Sequence, residues 1–202
     1  MISIDPKAQS ERDNYKLLIG SIIPRPIAFV TTKSQDGVLN GAPFSYFNIV
    51  SSNPPMISLS IQRSGGELKD TARNIRDLQE FVVHIVDEQN VRLVNETAAK
   101  LPPDHSEIEI AGLTPVESTQ VSVPGVAEAK IRMECVLEQA LELGGTGSDG
   151  CDFIIGRIVQ FHIQEDLYEN GRIDARRLAA VSRLAGNHYA RIGDIFTIER
   201  PQ

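Results

Sequence analysis

Two hydrophobic periods run through this chain, a dominant period of two and a shorter-lived period of 3.6. Ile27–Thr32 (I-A-F-V-T-T) is a continuous β-rich run and predicts a buried strand. Asp36-Gly37 supplies a turn into Val38-Leu39-Asn40, so the two segments read as a hairpin. Met56–Gln62 (M-I-S-L-S-I-Q) alternates strictly. Met56, Ser58, Ser60 and Gln62 share one face, and Ile57, Leu59 and Ile61 the other. Glu80–Val86 predicts a further buried strand, with His84 as a hydrogen-bonded core residue. Ala129–Gln139 puts Ala129, Ile131, Met133, Cys135 and Leu137 on one face and charged residues on the other, the pattern of a half-exposed antiparallel strand. Phe153–Ile163 and the short Ile195–Glu199 complete the strand candidates.

Helical signals are brief. Leu17–Ile23 gives an apolar patch in a polar lead-in. Asp70 or Thr71 is placed to cap a helix running to about Leu78. Val91, Val94 and Ala98 recur at helical spacing in Val91–Lys100, which Pro102-Pro103 ends. Another short helix includes Ala175–Val181, and residues 103–128 read as a long irregular segment. Many strands, few helices and Gly/Pro turns predict a mainly β fold, an antiparallel barrel either closed or partly open. No linker, repeat or low-complexity segment interrupts residues 1–202, which read as one domain.

Composition narrows the function classes. A net charge of −7 argues against nucleic acid and anionic membrane surfaces as partners. No apolar run approaches the roughly 18 residues of a membrane span. The N-terminus lacks the layout of a signal peptide, so the expected location is the cytoplasm. Two cysteines, Cys135 and Cys151, make neither a disulfide framework nor a metal quartet.

Candidate chemistry gathers at two stretches. Asn40–Phe47 (N-G-A-P-F-S-Y-F) combines small residues, a proline and three aromatic rings. It fits an ordinary strand badly. Two readings stand: a backbone-lined slot for a flat aromatic cofactor, or an edge strand entered through a bend. The second stretch, Arg63–Thr71, places glycines before a helix start, with Arg63 and Lys69 for charge and Thr71 for a hydroxyl. Free N–H groups there attract an anion, and the alternative is a capped surface helix. The glycines of Gly145–Gly150 satisfy G-x-G-x-x-G but lie between two strands, so a dinucleotide fold is rejected. No nucleophile or acid/base constellation stands out.

The ordered series P-R-P-I-A-F-V-T-T (24–32), D-G (36–37), N-G-A-P-F-S-Y-F (40–47), S-x-x-P-P (51–55), K-D-T-x-x-N (69–74), E-F-V-V (80–83), G-L-T (112–114) and R-L-A-G-x-x-Y (183–189) resembles the flavin reductase-like family of FMN-binding split barrels, including flavoredoxin-type members. The resemblance implies a six-stranded antiparallel Greek-key split β-barrel with short peripheral helices. It implies a homodimer with FMN at the interface and NAD(P)H as co-substrate, the acceptor being free flavin, a partner oxygenase or other redox partner protein, or ferric iron. Asn40, Ala42, Pro43, Ser45, Phe47 and Asn48 would line the ring. Ser60, Arg63, Lys69, Asp70, Thr71 and Asn74 would surround the ribityl chain and phosphate, with Arg25 and Arg183 at the site edge. His162 is a candidate neighbour of the nicotinamide, set against a reading as a core or edge residue. The implied activity is NAD(P)H:flavin reductase; a flavoredoxin-like electron carrier and a non-catalytic FMN-binding protein are the alternatives.

Overall fold

The period-two stretches form one large sheet in the computed structural model, which describes residues 1–63, 65–144 and 150–201. Its strands are β1 (Ala28–Lys33), β2 (Leu39–Phe44), β3 (Phe47–Ser52), β4 (Pro55–Gln62), β5 (Glu80–Ile85), β6 (Ile131–Leu143) and β7 (Cys151–Ile163). All neighbours pair antiparallel, in the spatial order β2-β1-β5-β6-β7-β4-β3. The alternation in β4 does what its spacing dictates. Ile57, Leu59 and Ile61 enter the core with Val83, Met133, Cys135 and Ile154, and the serine face is left on the other side. β1 is buried on both faces, which explains its unbroken apolar run. Ala28 and Val30 join the inner core, and Phe29 packs outward with Val94 and Ile108.

The outermost strands of this order, β2 and β3, are consecutive in sequence and joined only by Ser45 and Tyr46. Three Cα–Cα steps reach no farther than about 11 Å. The sheet therefore curls until its edges approach, yet among the described residues no ladder joins them. The chain itself crosses the seam, and the Tyr46 carbonyl accepts from Ser60 N of β4 at 2.8 Å. The expected six-stranded barrel is thus corrected to seven strands with an open seam. The strand missed was β3, an edge strand whose Ile49 is 77% exposed and which lacks a clear inward stripe. Ile195–Glu199 alternates in sequence but forms no strand, since nothing pairs with it; Phe196 and Ile198 lie exposed. The loop residues 145–149 of the rejected glycine motif lie outside the described residues, and the strands flanking them pair as a hairpin, Cys151 opposite Leu143.

Helix α1 (Glu11–Ser21) starts at Ser10, whose hydroxyl accepts from Asp13 N at 3.1 Å. Helix α2 (Asp70–Leu78) packs Ala72 and Ile75 into the core. Helix α3 (Val91–Glu96) is shorter than its spacing predicts, because the chain tightens into i→i+3 bonds from Ala98 N and Ala99 N. Helix α4 (Glu107–Ile110) interrupts the segment expected to be irregular. The Ala175–Val181 helix stops at Leu178, and Val181–Arg183 instead pairs with both Arg25–Pro26 and Tyr189–Arg191. Among the described residues, no helix is long and apolar enough to cross a membrane.

Two stability predictions follow from the core. Gly156 of β7 lies under the fully buried ring of Phe81, and a Cβ there would collide with the ring's far edge. Gly156→Ala should cost about 2–3 kcal/mol and lower Tm by about 5–10 °C in thermal melts. The second concerns His84, which is buried between β1 and the Val126 backbone. Its Nε2 accepts from Val126 N at 3.0 Å, so its Nδ1–H donates to the Phe29 carbonyl, also at 3.0 Å. Burial pushes its pKa down to about 3. The folded value lies below the unfolded one near 6.5, so this contribution is complete above about pH 6.5 and lost as pH falls toward about 3. Urea melts should show a loss of about 2 kcal/mol between pH 7.5 and pH 5. His84→Gln keeps a donor and an acceptor and should flatten that acid limb.

Candidate functional site

The seam between β2 and β3 opens into a cleft of three adjoining lobes. The first, about 390 Å³, is walled by Leu18, Ile22, Pro24, Pro26, Phe47 and Phe153. Ser45, Asn48, Ser58 and Ser60 add polar groups. The alternation of β4 puts Ser58 and Ser60 here, because its odd-numbered residues fill the core. The second lobe, about 250 Å³, shares Arg25, Ser45, Tyr46 and Ser60 with the first, and adds Tyr15, Gln62, Lys69 and Arg183. The third, about 370 Å³, shares Pro43, Phe44 and Lys69 with the second, and adds Ala42, Asp70, Thr71 and Lys100. The cleft thus runs from an apolar, ring-lined end to a charged end, the cationic lobe named for Lys69 and Lys100, which Asp70 and Glu107 also line.

Electrostatics sharpen that gradient. Burial, and then the like charge of Lys100, hold the Lys69 ammonium below its ordinary pKa. Neither lysine has an ion-pair partner among the described residues. Lys69 is also the N-cap of α2, and its side chain makes no cap bond to the first turn of that helix. The expected cap by Asp70 or Thr71 is corrected. Both lie inside the helix; Asp70 pairs with Arg73, and the Thr71 hydroxyl donates to Asn40 Oδ1 at 3.1 Å. The first-turn N–H groups, uncapped by Lys69, lie where Lys69, Asp70 and Thr71 wall this lobe. At the other end, burial and then the neighbouring Tyr15 push the Tyr46 phenol above its ordinary pKa, leaving it a neutral donor at pH 7. Arg25 walls the first two lobes, and its Nε is buried without a partner.

Not every residue singled out from sequence presents its side chain to this cleft. Ala42, Pro43, Ser45, Phe47, Asn48, Ser60, Lys69, Asp70 and Thr71 line it. Asn40 lines the cationic lobe, but its amide is consumed. Oδ1 accepts from Thr32 and Thr71, and Nδ2 donates to Glu107 at 2.9 Å. Asn74 is buried and donates to the Thr32 hydroxyl at 3.1 Å. These groups fasten β2 to α2 and α4 and position the wall. Arg25 donates to the carbonyls of Ile19, Ile22 and Leu184. Arg63 forms a bidentate pair with buried Asp152, at 2.9 and 3.0 Å. Arg183 stacks over the Tyr189 ring at 4.5 Å and lines the rim. His162 sits in a different cleft, nine residues or roughly 30 Å along β7 from Phe153. It contacts Glu134, a buried carboxylate that also accepts from the Thr119, Gln120 and Val121 amides.

Sequence reasoning missed Lys100, Glu107, Tyr15 and Phe153. No local pattern marks them; each reaches the cleft from a separate part of the chain. Gly41 also has a different reason from the one its motif suggested. A Cβ there would meet the Phe29 ring at 2.9 Å and the Ile108 side chain, so core packing, not approach to a ligand, requires the glycine. Among the described residues no cluster could hold a metal ion.

An aromatic-walled lobe and a lysine-flanked helix start suit a flat heterocycle carrying a phosphate. The model of the flavin reductase-like domain matches residues 19–180. An uncharacterised protein of Halalkalibacterium halodurans is 50% identical over 202 residues, covering 99% of this chain and 97% of that one. The crystal structure of nitrilotriacetate monooxygenase component B from Bacillus cereus is 63% identical with a TM-score of 0.96, covering 98% of each chain. That of the Pseudomonas fluorescens 2-nitrobenzoate 2-nitroreductase is 29% identical with a TM-score of 0.90, covering 99% of this chain and 96% of that one. The chain belongs to the flavin reductase-like family.

Proposed function

We propose that the protein is an FMN-dependent oxidoreductase that passes hydride from NAD(P)H to flavin. The observation that carries this reading is the gradient of the seam cleft, from Phe47 and Phe153 at one end to Lys69 and Lys100 at the other. Flavin, when bound, supplies the hydride and electron chemistry itself, and the protein supplies position and electrostatics. Phe47, Phe153, Pro24 and Pro26 would exclude water from the ring. Ser45, Ser58 and Ser60 offer hydroxyls to its polar edge. Lys69, Lys100 and the first turn of α2 would hold the phosphate. This requires no protein nucleophile.

The protein acts as a homodimer in this reading, with the second copy closing the apolar lobe. Leu18 and Ile22 line that lobe yet are 54% and 60% exposed, and Ile23, Ile49 and Val50 add exposed apolar surface. Reduced flavin leaves for a separate oxygenase component. The high identity to a protein described as component B of a monooxygenase supports this.

Steady-state oxidation of NADH and NADPH is measured with and without added FMN. Flavin-dependent turnover with at least one donor is expected. Tight FMN binding with no turnover would replace the reductase by an electron carrier, and no FMN binding would end the proposal.

A further inference from the structure

A second cleft, about 900 Å³, adjoins the flavin cleft and remains unused by it. One wall is α3 and the residues before it; the other is the ribbon Val181–Arg183 and Tyr189–Arg191. Two contacts tie the walls together. The Tyr189 hydroxyl donates to Asn95 Oδ1 at 2.9 Å, and Arg191 pairs with Glu88 at 2.8 Å. Arg92 and Glu96 line the same cleft without ion-pair partners among the described residues. Arg183 lines both clefts, so its guanidinium, which also donates to the Gly186 carbonyl at 2.6 Å, stands where the two adjoin.

The chemistry of this cleft selects its ligand. Charged and amide groups dominate its lining, so an apolar ligand would leave them without water. Arg92 and Arg183 offer planar forks that match a diphosphate. The Arg183 guanidinium, already stacked on Tyr189, has an outer face on which a purine can lie. Glu96 and Asn95 supply acceptors for ribose hydroxyls. Because Arg183 also lines the flavin cleft, a ligand held on its guanidinium can extend its other end past it toward the ring lobe.

We propose that this cleft binds the adenosine diphosphate half of the nicotinamide dinucleotide, with the diphosphate between Arg92 and Arg183. The inference rests on the reductase reading for the identity of the donor, but its test does not require turnover. ADP-ribose and 2′-phospho-ADP-ribose are titrated calorimetrically into the FMN-loaded protein and into its Arg92→Glu variant. One of the two probes should bind one per chain, and Arg92→Glu should weaken it at least about ten-fold. FMN fluorescence quenching by the variant at the wild-type concentration shows that it is folded. In turnover, Arg92→Glu should raise KM for the dinucleotide at least about ten-fold and change kcat less than about three-fold. Absence of binding by both probes, or equal affinity in wild type and Arg92→Glu, overturns the inference and leaves flavin reduction standing. Probe binding without NAD(P)H oxidation supports the cleft and defeats the reductase reading instead.

Discussion

Replacing Lys69 by glutamate is expected to weaken FMN binding at least about 50-fold and to leave riboflavin binding within about two-fold. The two ligands share the ring and ribityl chain and differ in the phosphate, so their ratio isolates the cationic lobe. Lys69 lies in that lobe, flanks Lys100 and is the N-cap of α2, to whose first turn its own side chain makes no cap bond. A charge-assisted contact to phosphate contributes roughly 1.5–3 kcal/mol, and reversing the charge adds repulsion to the loss. A 50-fold change corresponds to about 2.3 kcal/mol. Fluorescence quenching titrations measure both ligands. Glutamate is acceptable at this partly exposed position, so Tm should shift by less than about 2 °C. Equal weakening of FMN and riboflavin would mean that residue 69 shapes the cleft without touching phosphate.

The second large effect is structural. Asp152→Ala should cost about 3–5 kcal/mol, seen as a fall in Tm of about 10–15 °C. Asp152 begins β7 fully buried. It accepts two bonds from Arg63 and one, at 2.7 Å, from Arg76 of α2. The alanine leaves two guanidinium groups facing a space that held their carboxylate, with exposed Glu142 as their remaining ion-pair partner among the described residues. Because Arg63 opens the segment leading to Lys69, FMN affinity should fall as well. Arg63→Ala should resemble Asp152→Ala in stability more than Lys69→Glu in ligand selectivity. Loss of FMN affinity without loss of stability in Arg63→Ala would return Arg63 to the phosphate site.

Local periodicity carried much of the fold. Alternation alone separated Ile57, Leu59 and Ile61 from the β4 serines; the curl of the sheet is what puts those serines in the cleft. His84 and Cys135 are buried as their strands required; His84 is 1% exposed and Cys135 0%. What escaped the sequence depends on distant partners. Arg63 meets a residue 89 positions away, and Asn40 one 67 positions away; nothing in either motif shows that these groups are already engaged. Gly41 looked like a ligand-facing glycine until Ile108 and Phe29 were seen against it. Ile195–Glu199 had the pattern of a strand and lacked a neighbour. The structure bears out one of the two readings made of Asn40–Phe47. That stretch contains an edge strand, and its last residues carry the chain across the seam where the cleft opens.

The central claim is that this cleft holds FMN where a reduced nicotinamide can deliver hydride to it. Anaerobic stopped-flow mixing of the FMN-loaded protein with NADH, and separately with NADPH, tests it most directly. Loss of the oxidised-flavin absorbance with at least one donor, at a rate that saturates with donor concentration and matches steady-state turnover, is predicted. Bound FMN that neither donor reduces faster than free FMN in buffer would contradict the account.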